Sequence, residues 1–144
     1  MAVRLSTGLR TYVADSGIAT AFDTTGRINI YTGSQPATAD TAASGTLLGT
    51  LTLASDSAGA ASSGVVTFAT ITSDTSADAS GTAGYGRIYR TGDTAPGSAG
   101  NGTTDRRLDF AISTSGSDVN FDTVTFVAGG TIAISSLTIT QPAS

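Results

Sequence analysis

From Gly26 onward, large apolar residues alternate with polar ones, which is the pattern of a β-strand with one buried face. The clearest case is 107–112, where Leu108, Phe110 and Ile112 share one side. The pattern predicts strands over 27–31, 47–53, 65–71, 85–90 and 107–112. Loops rich in Gly, Ser, Ala, Thr and Asp separate the strands at 33–45, 54–64, 72–83 and 92–105. Loops of this length are unusual in a compact domain and indicate a function or a partner that orders them.

The C-terminal part predicts a hairpin around Ala128-Gly129-Gly130, where a Gly can take the left-handed conformation that the turn needs. The predicted register pairs Phe126 with Ile132, Val124 with Ile134, Phe121 with Leu137 and Val119 with Ile139. The inward side changes at the same level in both arms, 118–127 and 131–140, which predicts a bend or bulge. These patterns together predict an all-β fold, an antiparallel β-sandwich or rolled barrel of about seven strands.

The first 25 residues carry a helical period instead. A stripe of apolar residues falls on one side of a short helix, formed by Leu5, Leu9, Tyr12 and Val13. Ser6 is a suitable N-cap, and Gly17 is a suitable stop. A second short turn would carry Ile18, Ala21 and Phe22. We therefore expect an N-terminal helical arm over 1–25 and a β-sandwich domain over 26–144.

Composition removes most catalytic chemistry. The chain has no Lys, Glu, His, Cys or Trp, so its 7 basic side chains are all Arg and its 11 acidic side chains are all Asp. Without Cys it can form no disulfide and no thiolate site, and without His it lacks the usual general base near neutral pH. No nucleophile elbow, dinucleotide fingerprint or phosphate-loop lysine is present. The sequence argues against an enzyme and predicts no cofactor and no metal site.

Leu, Ile, Val and Phe make up about a fifth of the chain, near the level at which disorder becomes common. The net charge of −4 is too small to favour disorder, so we expect a thin, ordered core that gains stability from a partner. No apolar run reaches the roughly 18 residues that span a bilayer, and the first residues do not resemble a signal peptide. We expect no membrane partner and synthesis in the cytoplasm.

Two loops and one strand leave alternatives open. Asp74 and Asp78 could hold calcium through carboxylate oxygens, or these Asp residues could form ordinary Asx-turns in a solvated loop. The sequence Asn101-Gly102-Thr103 matches a glycosylation sequon but also suits a tight turn. Tyr85 and Tyr89 lie on one side of a predicted strand, where they could stack on a sugar or a base, or pack across the sheet.

The arginines raise the question of nucleic-acid binding. Four of them form two pairs of near neighbours in sequence, Arg87 with Arg90 and Arg106 with Arg107. Such side chains could contact phosphates, but the acidic net charge argues against a nucleic-acid partner. The simpler interpretation pairs them with Asp93, Asp105 or Asp109 within the fold.

Three stretches carry a family resemblance: 1–10 (MAVRLSTGLR), 30–40 (IYTGSQPATAD) with 45–48 (GTLL), and 81–88 (GTAGYGRI). Together with the C-terminal Gly turn, they resemble a family of small structural proteins encoded in the virion gene clusters of tailed bacteriophages. The sequence departs from that family at Tyr85, where a Trp is expected, and in a longer loop at 92–105. The resemblance covers most of the chain and implies a virion component.

Within that resemblance, the β-rich, disulfide-free chain is most similar to capsid decoration, or cement, proteins. These bind the outer shell and bridge major capsid subunits, often as trimers, so the implied partners are the major capsid protein and further copies of this chain. We expect docking by the N-terminal stripe with its basic rim, formed by Arg4, Leu5, Leu9, Arg10 and Tyr12. The alternative is that this stripe only closes one end of the sandwich. Other roles left open are a tail, neck or head–tail junction component and a sugar-binding module.

Overall fold

The computed structural model describes residues 3–6, 8–9, 17–22, 26–55, 57–60 and 65–140. Within these ranges the chain forms ten strands and the short helix α1 (Ile18–Phe22), and Gly8 and Leu9 are also helical. The strands are β1 (Arg4–Leu5), β2 (Gly26–Thr32), β3 (Leu47–Leu53), β4 (Val65–Phe68), β5 (Ile71–Thr72), β6 (Gly81–Arg90), β7 (Arg107–Ser113), β8 (Val119–Asn120), β9 (Thr125–Phe126) and β10 (Leu137–Thr140). The all-β prediction is confirmed, but the strands number ten rather than about seven because several hold only two residues.

Eight strands form the main sheet. Its order is β1-β7-β6-β2-β3-β5 with antiparallel neighbours, while β9 pairs with the start of β6 and β8 runs parallel to the end of β7. The ten-residue β6 is central, since β2 lies on one side and β7 on the other. The register aligns Ile88 with Ile28 of β2 and Leu108 of β7, so that an apolar row crosses three strands.

The hydrophobic core lies on one side of the main sheet. Its fully or almost fully buried strand residues are Ile28, Ile30, Leu51, Leu53, Ile88, Leu108 and Phe110. A second layer covers them, built from the two-stranded β4–β10 sheet, α1 and the N-terminal Leu9. In this layer the Phe22 and Phe68 rings meet edge to face at 6.5 Å. The two layers give the sandwich architecture that the alternating pattern predicts.

The N-terminal helix prediction is only partly correct. Leu5 lies in a strand, paired with Leu108 of β7, and not on a helix. The helical turn begins after it, since the Leu9 N–H donates to the Ser6 hydroxyl oxygen at 3.1 Å, as expected of an N-cap. The second predicted turn is confirmed as α1. Extended backbone prevails at Leu5 because the exposed edge of β7 offers partners, including a bond from the Ser6 N–H to the Arg107 carbonyl at 3.0 Å.

The predicted C-terminal hairpin is wrong in its pairing. The turn itself forms, with Gly129 at φ 80° and the Gly130 N–H donating to the Val127 carbonyl at 2.8 Å. The arms, however, separate: β10 pairs with β4, aligning Leu137 with Phe68, while β8 and β9 join the main sheet. In β10, apolar residues alternate with polar ones, and this pattern fits pairing with β4 as well as pairing with the predicted arm. Alternation alone therefore does not identify the partner strand. Ile132 also bonds the backbone of Asp74 instead of Phe126.

The predicted strand over 65–71 divides into two. β4 joins the small sheet, whereas β5 pairs with β3 of the main sheet, so the chain changes layer between them. One edge of each sheet is covered by a loop, at β3 and at β4. The Asp74 carboxylate accepts the Thr50 N–H of β3 at 2.8 Å, and the outer edge of β4 bonds to Gly59 through the Thr67 carbonyl at 2.9 Å. Polar loops therefore occupy backbone groups that would otherwise face a neighbouring strand.

Gly86 offers a direct test of the core register. It lies opposite Phe110, and a Cβ built at Gly86 would come within 2.4 Å of the Phe110 ring. We expect Gly86→Ala to destabilise the fold by about 1–3 kcal/mol, because the ring must move out of a close-packed site. Urea denaturation measures the loss. The matched control is Gly97→Ala, where a Cβ meets no atom within 4 Å; equal stability of the two variants would contradict the register.

Candidate functional site

The structure places the predicted docking residues in different environments, some buried and some exposed. Leu9 is fully buried in the core and Leu5 is half-buried against it, so these two close one end of the sandwich. Arg4 is exposed, and its guanidinium donates to the Ala37 carbonyl. Arg10 and Tyr12 lie outside the described residues. In this conformation Leu9 offers no surface to a partner, which favours the alternative role for that part of the stripe.

The sheet side opposite the core carries polar residues in register. Across four neighbouring strands the order is Thr50, Asn29, Arg87 and Asp109, and Arg4 of β1 follows Asp109. The Thr50 hydroxyl donates to the Asn29 side-chain oxygen at 2.9 Å. Strand pairing thus aligns hydrogen-bonding and charged side chains into one row, of which the middle part is buried.

Arg87 and Asp109 form the centre of this row as a bidentate ion pair. Arg87 Nε lies 2.7 Å from Asp109 Oδ1, and Nη2 lies 2.8 Å from Oδ2. Both side chains are fully buried. Burial by itself lowers the pKa of Arg87, but the hydrogen bonds and charge of Asp109 outweigh it, so the net pKa is raised. The guanidinium therefore stays charged and bound at any ordinary pH.

The same arginine holds two long loops. Arg87 Nη1 donates to the Thr41 carbonyl at 2.9 Å and to the Pro96 carbonyl at 3.2 Å. Thr41 belongs to the predicted loop 33–45 and Pro96 to the predicted loop 92–105. The two loops also meet directly, since the Ala43 N–H donates to the Pro96 carbonyl at 2.9 Å. Together they cover the charged centre of the sheet and exclude water from it.

A second buried arginine, Arg107, binds the backbone of the loop over 92–105. Its guanidinium donates to the carbonyls of Thr94 at 2.7 Å and Ser98 at 3.1 Å. Asp105 lies 3.5 Å from it and accepts the N–H groups of Thr94 and Asn101 at 3.2 and 2.8 Å. Burial tends to raise the pKa of Asp105, but these backbone bonds prevail and lower it. Burial, together with the charge of nearby Arg87, lowers the pKa of Arg107.

The arginines are thus used inside the fold. The predicted ion pairs with Asp93, Asp105 and Asp109 are confirmed, the first through Arg90 Nη2 at 2.9 Å from the Asp93 carboxylate. Arg87 and Arg107 are fully buried and out of reach of a nucleic-acid backbone. Sequence alone suggests the pairing but not its burial, because a charged residue on alternate positions of a strand normally indicates a solvent-exposed face.

The tyrosines pack across the sheet rather than forming an exposed platform. The Tyr85 ring is fully buried and stacks on Tyr31 of β2, with centroids 5.2 Å apart and planes at 14°. Its hydroxyl donates to the Ser44 carbonyl at 2.7 Å and accepts the Ser44 N–H at 2.9 Å. Burial raises the pKa of Tyr85. Cross-strand packing is therefore confirmed, and only Tyr89 remains half-exposed.

The Asp74 loop forms the Asx-turn. One carboxylate oxygen accepts the Ser76 N–H at 2.9 Å and the other accepts the Thr50 N–H at 2.8 Å. Within the described ranges, no group of three acidic residues is placed to hold a metal ion. The sequon also forms a tight turn, with the Thr103 N–H donating to the Asn101 side-chain oxygen at 3.2 Å.

The structure shows an apolar surface that the sequence did not predict. Residues 119–127, here called the apolar strap, cross the end of the main sheet with only two short pairings, β8 and β9. The strap places four large apolar side chains half-buried, packed against the core, and a fifth, Val127, 66% exposed. The half-buried members are Val119, Phe121, Val124 and Phe126. The two Phe rings meet edge to face at 5.8 Å.

A cleft of about 240 Å³ lies between the strap and residues 133–136, with Phe121 and Ile134 among its lining. The exposed Asp122 stands at the cleft, and the exposed Asp118 precedes the strap, with its carboxylate accepting the Ala111 N–H at 2.9 Å. The alternating pattern assigned these apolar residues to the inside of a hairpin. The arms separate instead and leave that side partly uncovered.

Comparisons with known proteins add no relative: no protein-family model, no curated protein and no solved structure matches this chain. Among the described residues, no helix is long and apolar enough to cross a membrane.

The buried ion pair predicts a large cost when one partner is lost. We expect Asp109→Asn to destabilise the fold by about 3–5 kcal/mol, because it leaves the Arg87 charge buried without its counter-ion. Arg87→Met combined with Asp109→Leu removes both charges, so its cost should fall well below the summed costs of Arg87→Met alone and Asp109→Leu alone. Urea denaturation of these variants checks this, and additive losses would contradict a coupled pair.

Asp105 predicts a dependence of stability on pH. Its pKa is lower in the folded chain than in the unfolded chain, so the unfolded chain takes up the proton first as pH falls. Stability from Asp105 is therefore complete at neutral pH and decreases as pH falls from about 5 through the ordinary Asp pKa near about 4. We expect Asp105→Asn to be less stable at pH 7 and to lose less stability over that range. Denaturation at several pH values measures both slopes, and parallel slopes would refute the assignment.

Proposed function

We propose that this protein is a structural virion protein of a tailed bacteriophage, a capsid decoration protein that binds the outer shell and bridges major capsid subunits. The single observation that carries the proposal is that the buried charged groups form their bonds within the fold. Arg87, Arg107, Asp105 and Asp109 are committed to one another and to loop backbone. Such a network stabilises a surface and leaves its charges unavailable to a substrate.

The family resemblance supplies the virion setting, and the sandwich fold agrees with the β-rich character of that family. A shell offers many equivalent sites, so weak contacts of each copy combine through multivalency. This suits a chain whose core is thin and whose loops are long. We further propose that the protein acts as a homo-oligomer, a trimer by preference, with no nucleic-acid or membrane partner.

The number of copies per particle tests the location. Icosahedral shells repeat a binding site many times, whereas tails and necks have axial symmetry, so we expect hundreds of copies rather than about a dozen. Quantitative mass spectrometry of purified particles, calibrated against the major capsid protein, gives the number. About a dozen copies would overturn the decoration role in favour of a tail, neck or junction component. Particles without the protein would overturn the virion role altogether.

A further inference from the structure

We propose that the apolar strap is the surface by which this protein docks, and that its partner presents an apolar side chain flanked by basic residues. The inference deepens the proposed function and rests on it in one respect, the naming of the shell protein as that partner. It replaces the N-terminal stripe, whose Leu9 is buried, as the main docking element.

The strap has the composition of an interface. The chain has only 9 aromatic residues, 5 Phe and 4 Tyr, yet two of the Phe, at 121 and 126, are only half-buried on this one segment. Interface centres are enriched in aromatic side chains, while large exposed apolar patches are uncommon on a free monomer. The cleft beside Phe121 gives the partner's apolar side chain a place to enter.

The charge around the strap selects a basic partner. Asp118 and Asp122 are exposed beside it, and the chain as a whole carries a net charge of −4. The exposed or half-exposed basic residues of β2 and β6 lie far away, since Phe126 pairs with Gly81 at the start of β6 and Arg90 ends that strand. Nine residues of strand separate those ends by about 30 Å. Acidic residues at the rim attract basic ones and steer association.

A second copy of this chain fits the strap poorly. Two straps facing each other would bring Asp118 and Asp122 of both copies together, and like charges at an interface are costly. Among the described residues, the other exposed large apolar side chain is Val3, which adjoins the exposed Arg4. The N-terminal segment of a second copy is therefore the competing occupant, and the Val3→Arg variant tests it. Because Arg4 already donates to the Ala37 carbonyl, this segment fits the acidic rim less well than a separate protein with several free basic residues.

Two substitutions of the same kind test the strap against the N-terminal segment. Val127→Arg places a positive charge where the partner is basic, whereas Val3→Arg makes the same change at the other exposed valine, 39% exposed. Cells infected by phage lacking the gene would supply each variant, and mass spectrometry would count copies per particle. We expect Val127→Arg to lower the count about tenfold or more and Val3→Arg to leave it within about twofold. Both substitutions lie at exposed sites, so we expect the thermal unfolding temperature of each variant to stay nearly unchanged.

A separate substitution tests whether the partner is basic. Asp122→Asn should weaken binding of the purified protein to undecorated particles by about two- to fivefold and reduce the dependence of binding on salt. Unchanged binding with unchanged salt dependence would contradict a basic partner.

The outcomes separate this inference from the proposed function. Wild-type protein present in hundreds of copies, with Val127→Arg incorporated equally well, would overturn the strap and leave the decoration role intact. Loss in Val3→Arg alone, or equal loss in both variants, would also overturn the strap as the specific docking surface. If the wild type is present at about a dozen copies, the decoration role fails, yet a selective loss in Val127→Arg would still support the strap. Absence of the wild type from particles would overturn both.

Discussion

The fold depends on a constraint at its centre: a guanidinium and a carboxylate removed from water must satisfy each other and every remaining donor. Asp109 accepts hydrogen bonds from Nε and Nη2 of Arg87, and the carbonyls of Thr41 and Pro96 accept from Nη1. Those carbonyls come from two loops with little regular structure of their own. The loops are consequently fixed to the sheet by the ion pair, and the ion pair remains dry because the loops cover it.

The alternation of apolar residues was sufficient to predict the main strands. β2, β3 and β7 lie close to their predicted bounds, and the inward side of β7 is correct at Leu108, Phe110 and Ile112. β6 begins four residues earlier than predicted, at Gly81. Alternation does not identify the partner of a strand, which is why the C-terminal hairpin was wrong. The decisive contacts there are non-local, such as Ile132 with Asp74 and Leu137 with Phe68. A single sequence holds no direct record of such pairings.

The candidate surface was harder to predict than the fold. Ser6 and the apolar N-terminal residues suggested an amphipathic helix for docking, yet edge pairing with β7 draws Leu5 into the sheet and Leu9 into the core. The apolar strap received no functional assignment because its residues match an ordinary buried strand. What distinguishes Phe121 and Phe126 is incomplete coverage, and that property depends on where distant segments pack. Composition limits which side chains are available but does not place a contact surface.

The protected edges of both sheets matter for any protein held at high density. A bare strand edge invites a neighbouring copy to extend the sheet, and the resulting stack can continue without limit. Here the Asp74 carboxylate caps the Thr50 N–H of β3, and the backbone around Gly59 blocks β4. At these two edges a neighbouring copy would have to displace these bonds before it could extend the sheet, so contact there falls to side chains.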